Sequence, residues 1–566
     1  MSVRLASAIC LSTVVGVMGA ASPRAQETTA LDLYRIHARA DAAREAGDER
    51  DALAGYLLVA DQQPDNAELW THVFRIASSL GDTGTVVRAG DRLDAIGHRL
   101  GARLAYTMAR THALRGETGL ALEWLAQALR DRYDNRPGIW EDDGFADLRG
   151  DTRFRELAGR PPEGLGRDSG WRFDIRYFRE EVRRLHADPD RPAFSAPFEM
   201  AVERLLADVP VLTDQEILYQ LMRISAILDD GHTGLYSSAG PPPHATVSLD
   251  RRTLPVMFNS FSDGLFVVAG QGPGRALVGA KVLRFGPLTT DGVLQRLAEH
   301  RGGDNPVTIR WLGGRFLMRE AALLKAIGAA ESADRVTLTI ERQDGATERV
   351  ALPSGDYDFP RKLRPQRAEG APMYLRRVDT PYWTASMPEW DAIYFQFNQV
   401  RDADAGPSIA EFAPTLDMLL ESTGSTRLIV DLRHNNGGNN GLLPPLLRVI
   451  GGFAVPAAHR VYVVTGQNTF SAAQNFLTRV EQLTGAEVVG EPSASSPNFL
   501  GEETTVVLPW SGVAGSISSL SWQDGGPNDT RQWIAPDIPV PTSSADYFGG
   551  RDPVLEALRD IFAAGL

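Results

Sequence analysis

Lysine is nearly missing from this 566-residue chain: only Lys281, Lys325 and Lys362 occur, and arginine supplies the rest of the positive charge. Chemistry that needs a neutral amine therefore has few candidates. Cysteine occurs once, at Cys10, within an apolar N-terminal stretch. Without that stretch the chain has no disulfide, no thiol nucleophile and no thiolate metal ligand. No apolar run beyond the N-terminus approaches the roughly 18–20 residues of a membrane span. Lys/Arg-rich blocks are absent and the net charge is −14, so nucleic acid is not an expected partner. What remains is an ordinary globular composition, 43% apolar and 23% charged, long enough for several cores.

The opening, MSVRLASAICLSTVVGVMGAASPRAQE, pairs an early Arg with an apolar stretch and small residues, the layout of a secretory signal peptide over 1–25. Cleavage after Ala21 or Ala25 would leave a secreted or periplasmic protein. From 29 to 160 the pattern is helical. Gly47, Gly81 and Gly116 recur at tetratricopeptide-like intervals, and Ala52, Tyr56, Ala121, Leu125 and Ala128 take matching places around them. Such a repeat suits a scaffold or a docking site for a protein partner; a plain helical bundle is the alternative. A Gly/Arg/Pro-rich loop, 159–170, suggests a boundary. Helices are expected over 171–240, then a β-rich insert at 250–352 with a PDZ-like order of elements, in which VLQRLAEH is helical. The section 375–566 alternates strands and helices, which predicts a layered α/β core with its site near the carboxyl ends of the strands.

Two segments of that core carry chemistry. LIVDLRHNNGGNNG (428–441) runs from a buried strand into a glycine-rich loop able to approach something closely. VYVVTGQNTFSAAQNFL places Ser471 where a strand gives way to a helix. Capping is the plain role for such a serine. The other is nucleophilic: helix N–H groups and the loop glycines would stabilise an anion beside it. Neither segment fits a nucleotide-binding fingerprint.

RLIVDLRHNNGG, VVTGQNTFSAAQNF, VVGEPSASSPNFLGEETTVVLPWSG and WIAPDIPV, in this order, resemble the core of the C-terminal processing (tail-specific) serine peptidases, over about 171–566. The resemblance implies a ClpP/crotonase-like layered core, Ser471 as nucleophile, and oxyanion donors from Gly437 or Gly438 and from Ala472. One branch of that family activates its serine with a lysine about two dozen residues downstream; no lysine follows Ser471 here. The tricorn-like branch uses an upstream histidine, and LDDGHTG matches it, which places the base on His232. That branch has a serine before the histidine where this chain has Gly231. The third, acidic member falls nearest Asp529, with Asp229, Asp230, Glu491 and Glu502 as rivals; His434 is the alternative base. No cofactor and no metal are expected, since no His and carboxylate groups share a metal-ligand spacing. The implied function is an exported serine endopeptidase acting on extended polypeptides. The alternative is an inactive peptide-binding scaffold with a peptidase-like core.

Overall fold

The computed structural model describes residues 29–188, 190, 196–236, 247–360, 362–364 and 370–564. The expected signal peptide and Cys10 lie outside the described residues. Among the described residues no helix is long and apolar enough to cross a membrane. The chain divides into two compact units at Asp131, upstream of the loop 159–170. The reason is local: Arg136 donates to the buried Glu181 carboxylate at 2.7 Å and to the Leu157 carbonyl, which ties 136–157 into the second unit.

The first unit is helical. Helices α1 (Ala30–Glu45) and α2 (Glu49–Gln62), α3 (Ala67–Ser79) and α4 (Thr83–Ala95), and α5 (Ala102–Leu114) and α6 (Thr118–Arg130) follow one another. Gly47, Gly81 and Gly116 sit between the members of each pair at φ of +80°, +71° and +74°. No neighbour crowds a Cβ there, so the backbone turn alone selects glycine. Ala52, Tyr56, Trp70, Val73 and Phe74 form part of the buried core.

After the short helices Arg136–Glu141 and Thr152–Leu157, the second unit continues with the helices Arg167–Leu185, Ala196–Asp208 and Asp214–Ala226, and the short strand β1 (Gly234–Tyr236). The insert is an antiparallel sheet in the order β2 (Val256–Phe261), β3 (Gly264–Gly270), β4 (Lys281–Phe285), β6 (Arg335–Glu341), β7 (Thr347–Pro353), with β5 (Leu288–Thr289) beside β4. VLQRLAEH falls in the helix Thr290–Ala298.

The core sheet runs β15 (Ile538–Pro539), β12 (Glu487–Gly490), β11 (Arg460–Thr465), β10 (Arg427–Asp431), β9 (Ala392–Phe397), β8 (Tyr382–Met387). Its strands are parallel except for β8, which pairs antiparallel with β9. Leu428 and Val430 pack with the helices Ile409–Thr423, Pro444–Phe453 and Ala472–Thr484. Ile429 packs the other way, with Tyr462 and with Val554, Leu555 and Leu558 of the helix Pro553–Ala563. Burial on both faces explains why LIVD reads as an unbroken apolar run.

A third, antiparallel sheet joins β1 to the hairpin β14 (Ala514–Gln523) and β13 (Asn498–Val507). Gly234 pairs with Ser516 and Tyr236 with Ala514. This pairing brings the segment just after His232 to the C-terminal part of the chain.

Candidate active site

The carboxyl ends of the adjacent strands β10 and β11 lead into the loop 432–441 and the turn 466–471. A buried ionic cluster fixes the first. Arg433 makes paired bonds to Asp552 at 2.9 and 2.8 Å and binds Asp431, which also accepts from Tyr394. The Arg433 guanidinium lies 4.1 Å over the Tyr374 ring. From this anchor the chain turns at Gly437 (φ +105°) and Gly438 (φ +141°). A Cβ on Gly437 would lie 2.7 Å from the Ser471 Cβ, and one on Gly438 would lie 2.0 Å from the Val400 carbonyl oxygen. Both glycines are therefore required by close approach.

Ser471 precedes the helix Ala472–Thr484 with φ 57° and ψ −126° and makes no side-chain cap bond. The capping role is thus absent, and the backbone occupies a region that costs a non-glycine residue about 1–3 kcal/mol. Its Oγ lies 2.9 Å from His232 Nε2 instead. The amide of Ser471 donates to Ser495 Oγ at 3.1 Å. Gly437 N–H is taken by the Asn435 side chain at 3.0 Å. The amides of Gly438 and Ala472 donate to no protein acceptor among the described residues. Two of the three expected donors, Gly438 and Ala472, are thus left unsatisfied beside the serine.

His232 lies in the loop after the helix Asp214–Ala226, buried between the rings of Phe470 (4.5 Å, 19°) and Phe499 (5.4 Å, 15°). Its backbone is held at both ends: its N–H donates to Asp230 Oδ1 and its carbonyl accepts from Ser516 Oγ. Burial pushes the imidazole pKa down to about 4, against the pull of the Asp230 charge and with a further push from Arg301. Nδ1 meets no partner at ordinary hydrogen-bond geometry; the acceptor that raises its proton affinity is the Leu500 carbonyl.

Asp529 is engaged elsewhere in the structure. Its carboxylate is held by Arg531 at 2.8 Å, and the same guanidinium binds Glu481; no hydrogen bond joins Asp529 to His232. The pairing with an adjacent arginine, invisible without the turn geometry, takes the acid away. Of the rivals, Asp230 stands nearest in its bonds. It receives the His232 and Thr233 amides, the Ser518 hydroxyl and the His186 ring, and its pKa falls to about 2, those bonds and the His186 charge overcoming a large desolvation cost. Glu491 instead accepts the Thr542 amide. His434 stacks on Tyr374 and neither ring nitrogen has a partner, so the serine hydroxyl is engaged by His232 and not by His434. Lys362 donates to the Asn398 carbonyl.

Gly231 is explained by space: a Cβ there would lie 2.8 Å from Asp304 Oδ1 and 2.9 Å from the Phe470 ring. Sequence reasoning missed the segment responsible, RGGDN (301–305), which the insert delivers. Arg301 donates to the Thr233 and Gly231 carbonyls at 2.6 and 2.7 Å, and Asp304 accepts the Gly231 amide at 2.8 Å. The adjacent glycines were its one available signal: a Cβ on Gly302 would lie 2.8 Å from the Asp230 carbonyl oxygen. No cluster of His, Cys, Asp and Glu able to hold a metal occurs among the described residues.

No protein-family model matches the chain, and no curated protein matches it. Among solved structures it is similar to mature CPAF complexed with lactacystin (14% identity, TM-score 0.48, 70% of this chain and 98% of that one). It is also similar to the photosystem II D1 C-terminal processing protease (13%, 0.35, 69% and 97%). A third similar structure is a putative S41 protease from Bacteroides fragilis (11%, 0.33, 69% and 97%). Likeness this distant leaves the chemistry of the chain to be argued from its own atoms.

Proposed function

We propose that this protein is a serine-type peptidase of the C-terminal processing kind, with Ser471 as nucleophile and His232 as general base. The observation that carries the reading is the 2.9 Å contact between His232 Nε2 and the Oγ of a strained, non-capping serine. In the Nδ1–H tautomer, Nε2 accepts the Ser471 proton as Oγ attacks a peptide carbonyl carbon. The Gly438 and Ala472 amides receive the oxygen that becomes negative. Imidazolium then returns the proton to the departing amine, leaving an acyl ester on Ser471. Water, activated by the same nitrogen, hydrolyses it. A pKa near 4 keeps His232 neutral, and so able to accept, at ordinary pH.

The Asp230 charge favours the imidazolium without touching the ring, so the reacting unit is a dyad steadied by Asp230 and the Leu500 carbonyl. The substrate class is polypeptide. The layered core is read as ClpP/crotonase-like, the insert as PDZ-like, and the α1–α6 unit as a tetratricopeptide-like docking element for a protein partner. Export to the periplasm or exterior follows from the N-terminal segment.

The test is covalent labelling by a fluorophosphonate together with cleavage of an unfolded polypeptide. Label on wild type, lost in Ser471→Ala and strongly slowed in His232→Ala, is expected. Wild-type protein that takes no label and cleaves nothing would return the chain to the inactive-scaffold reading.

A further inference from the structure

We infer that Asn475 is a positioning residue for the two oxyanion donors, a strut that sets the loop bearing Gly438 against the helix that begins at Ala472. The inference rests on the peptidase reading. Asn475 lies one turn after Ser471 and is fully buried. Its backbone N–H donates to the Ser471 carbonyl at 3.1 Å. Its side-chain Oδ1 accepts from Asn440 Nδ2 at 2.9 Å, and Asn440 stands two residues beyond Gly438. Among the described residues that is the one hydrogen bond the Asn440 side chain makes, since its Oδ1 has no partner. On its other side the loop is tied to Val400. The Val400 N–H donates to the Gly437 carbonyl at 2.9 Å, and its carbonyl accepts the Asn439 amide at 2.8 Å. Gly438 therefore sits between two fixed points, and Asn475 is the one that also holds the segment of Ser471 and Ala472.

Asp524 decides which way the Asn475 amide faces. It follows β14 directly and accepts from Asn475 Nδ2 at 2.6 Å. Arg479 binds both of its oxygens, at 3.1 Å each, the forked pairing of a guanidinium with a carboxylate. An ionised carboxylate only accepts. The Asn475 N–H₂ must then face Asp524, which leaves its oxygen for Asn440. Each donor in the series points the same way, from Asn440 through Asn475 to the Asp524 anion. The acid is itself anchored: its backbone carbonyl accepts from Gln482 Nε2 at 2.7 Å, and the next amide, Gly525, donates to Asn498 Oδ1 at 3.0 Å. Negative charge on the substrate oxygen develops only as the carbonyl is attacked, so a slack strut costs rate and not substrate binding.

The experiment exploits that polarity. Fluorophosphonate labelling and cleavage of fluorescein-labelled casein are measured on the full chain, with melting temperature as the check on folding. In Asn475→Asp two carboxylates face each other, and labelling is expected to slow roughly 10- to 100-fold, the scale of a misplaced reacting group. Casein cleavage should lose kcat with KM little changed, and the acid limb of the pH profile should stay where wild type has it, because the base is untouched. Asp524→Asn should also slow labelling, since nothing then dictates the direction of the Asn475 amide. Combining the two substitutions restores the series in reverse, a carboxylate at 475 accepting from Asn440 and from an amide at 524. Labelling is expected to recover about tenfold over the slower single variant. Asn440→Ala cuts the other end of the strut, should slow labelling similarly, and carries the test should the variants at 475 fail to fold. Folded Asn475→Asp or Asn440→Ala protein that labels at the wild-type rate, a rise in KM with kcat unchanged, or a double variant no faster than the slower single one overturns the inference. Wild type that takes no label and cleaves nothing overturns the peptidase reading instead.

Discussion

At the scale of single residues, the serine and histidine are placed by opposite means. Ser471 is held in an unfavourable backbone conformation, whereas His232 is clamped between two phenyl rings. Ser471→Ala should lower peptide cleavage by about 10⁴-fold or more. Ser471→Gly should abolish labelling equally yet melt no lower than wild type, because glycine tolerates the positive φ; calorimetry on the two variants separates strain from chemistry. With the imidazole pKa down near 4, activity should rise with pH through an acid limb well below the 6.5 of a free histidine. A limb at 6.5 or above in kcat/KM would contradict the buried, neutral base. Both residues of the 2.9 Å contact could be singled out in the sequence, since each sits in a short motif whose signals are local. Which acid lies beside His232 could not be read there, because Asp529 and Asp230 differ in what surrounds them: Asp529 is held by Arg531, whereas Asp230 accepts the His232 amide. Gly231 looked like a missing side chain; it is the space that Asp304 and Phe470 occupy.

Among the elements, the loop after β10 shows how a flexible composition becomes a fixed shape. Its root is the Asp431–Arg433–Asp552 cluster, and its tip is two glycines against Ser471 and Val400. Asp552→Ala leaves a buried guanidinium short of a partner and should cost about 3–5 kcal/mol, measured by urea unfolding. Gly438→Ala has no room, with 2.0 Å to a carbonyl oxygen; it should slow labelling by at least the roughly 10²–10³-fold of a lost oxyanion donor. The strands and helices of the core were readable because each carries its own period and punctuation. Less readable was the boundary between units: Arg136 looks like any surface arginine until its bond to Glu181 is seen. Nor did the insert announce that it sends 301–305 into the site, a contact set by packing between distant segments.

For the molecule as a whole, His434 is a buried histidine with neither nitrogen bonded, its pKa driven down to about 3 by burial and by Lys362, Arg433 and Arg315, against the pull of Asp431. Unfolding lets it bind a proton from about pH 6.5 downward, while the folded protein refuses one until about pH 3. The unfolded state therefore gains protons across that window, and His434 subtracts stability as pH falls. His434→Phe should melt closer to neutral-pH behaviour in acid, its advantage over wild type widening steadily from pH 6.5 down. A constant difference across that range would remove His434 from the account. The pairing of β1 with β14 has a consequence of another kind. His232 and Ser471 are 239 residues apart, and the strand that pairs with the segment after His232 is made after both. A ribosome-bound or prematurely terminated chain lacking Ala514–Gln523 carries both reacting groups without the hairpin that seats one of them. Such a chain should take no fluorophosphonate, whereas the full chain should, so the onset of labelling along a series of C-terminal truncations should fall at the hairpin.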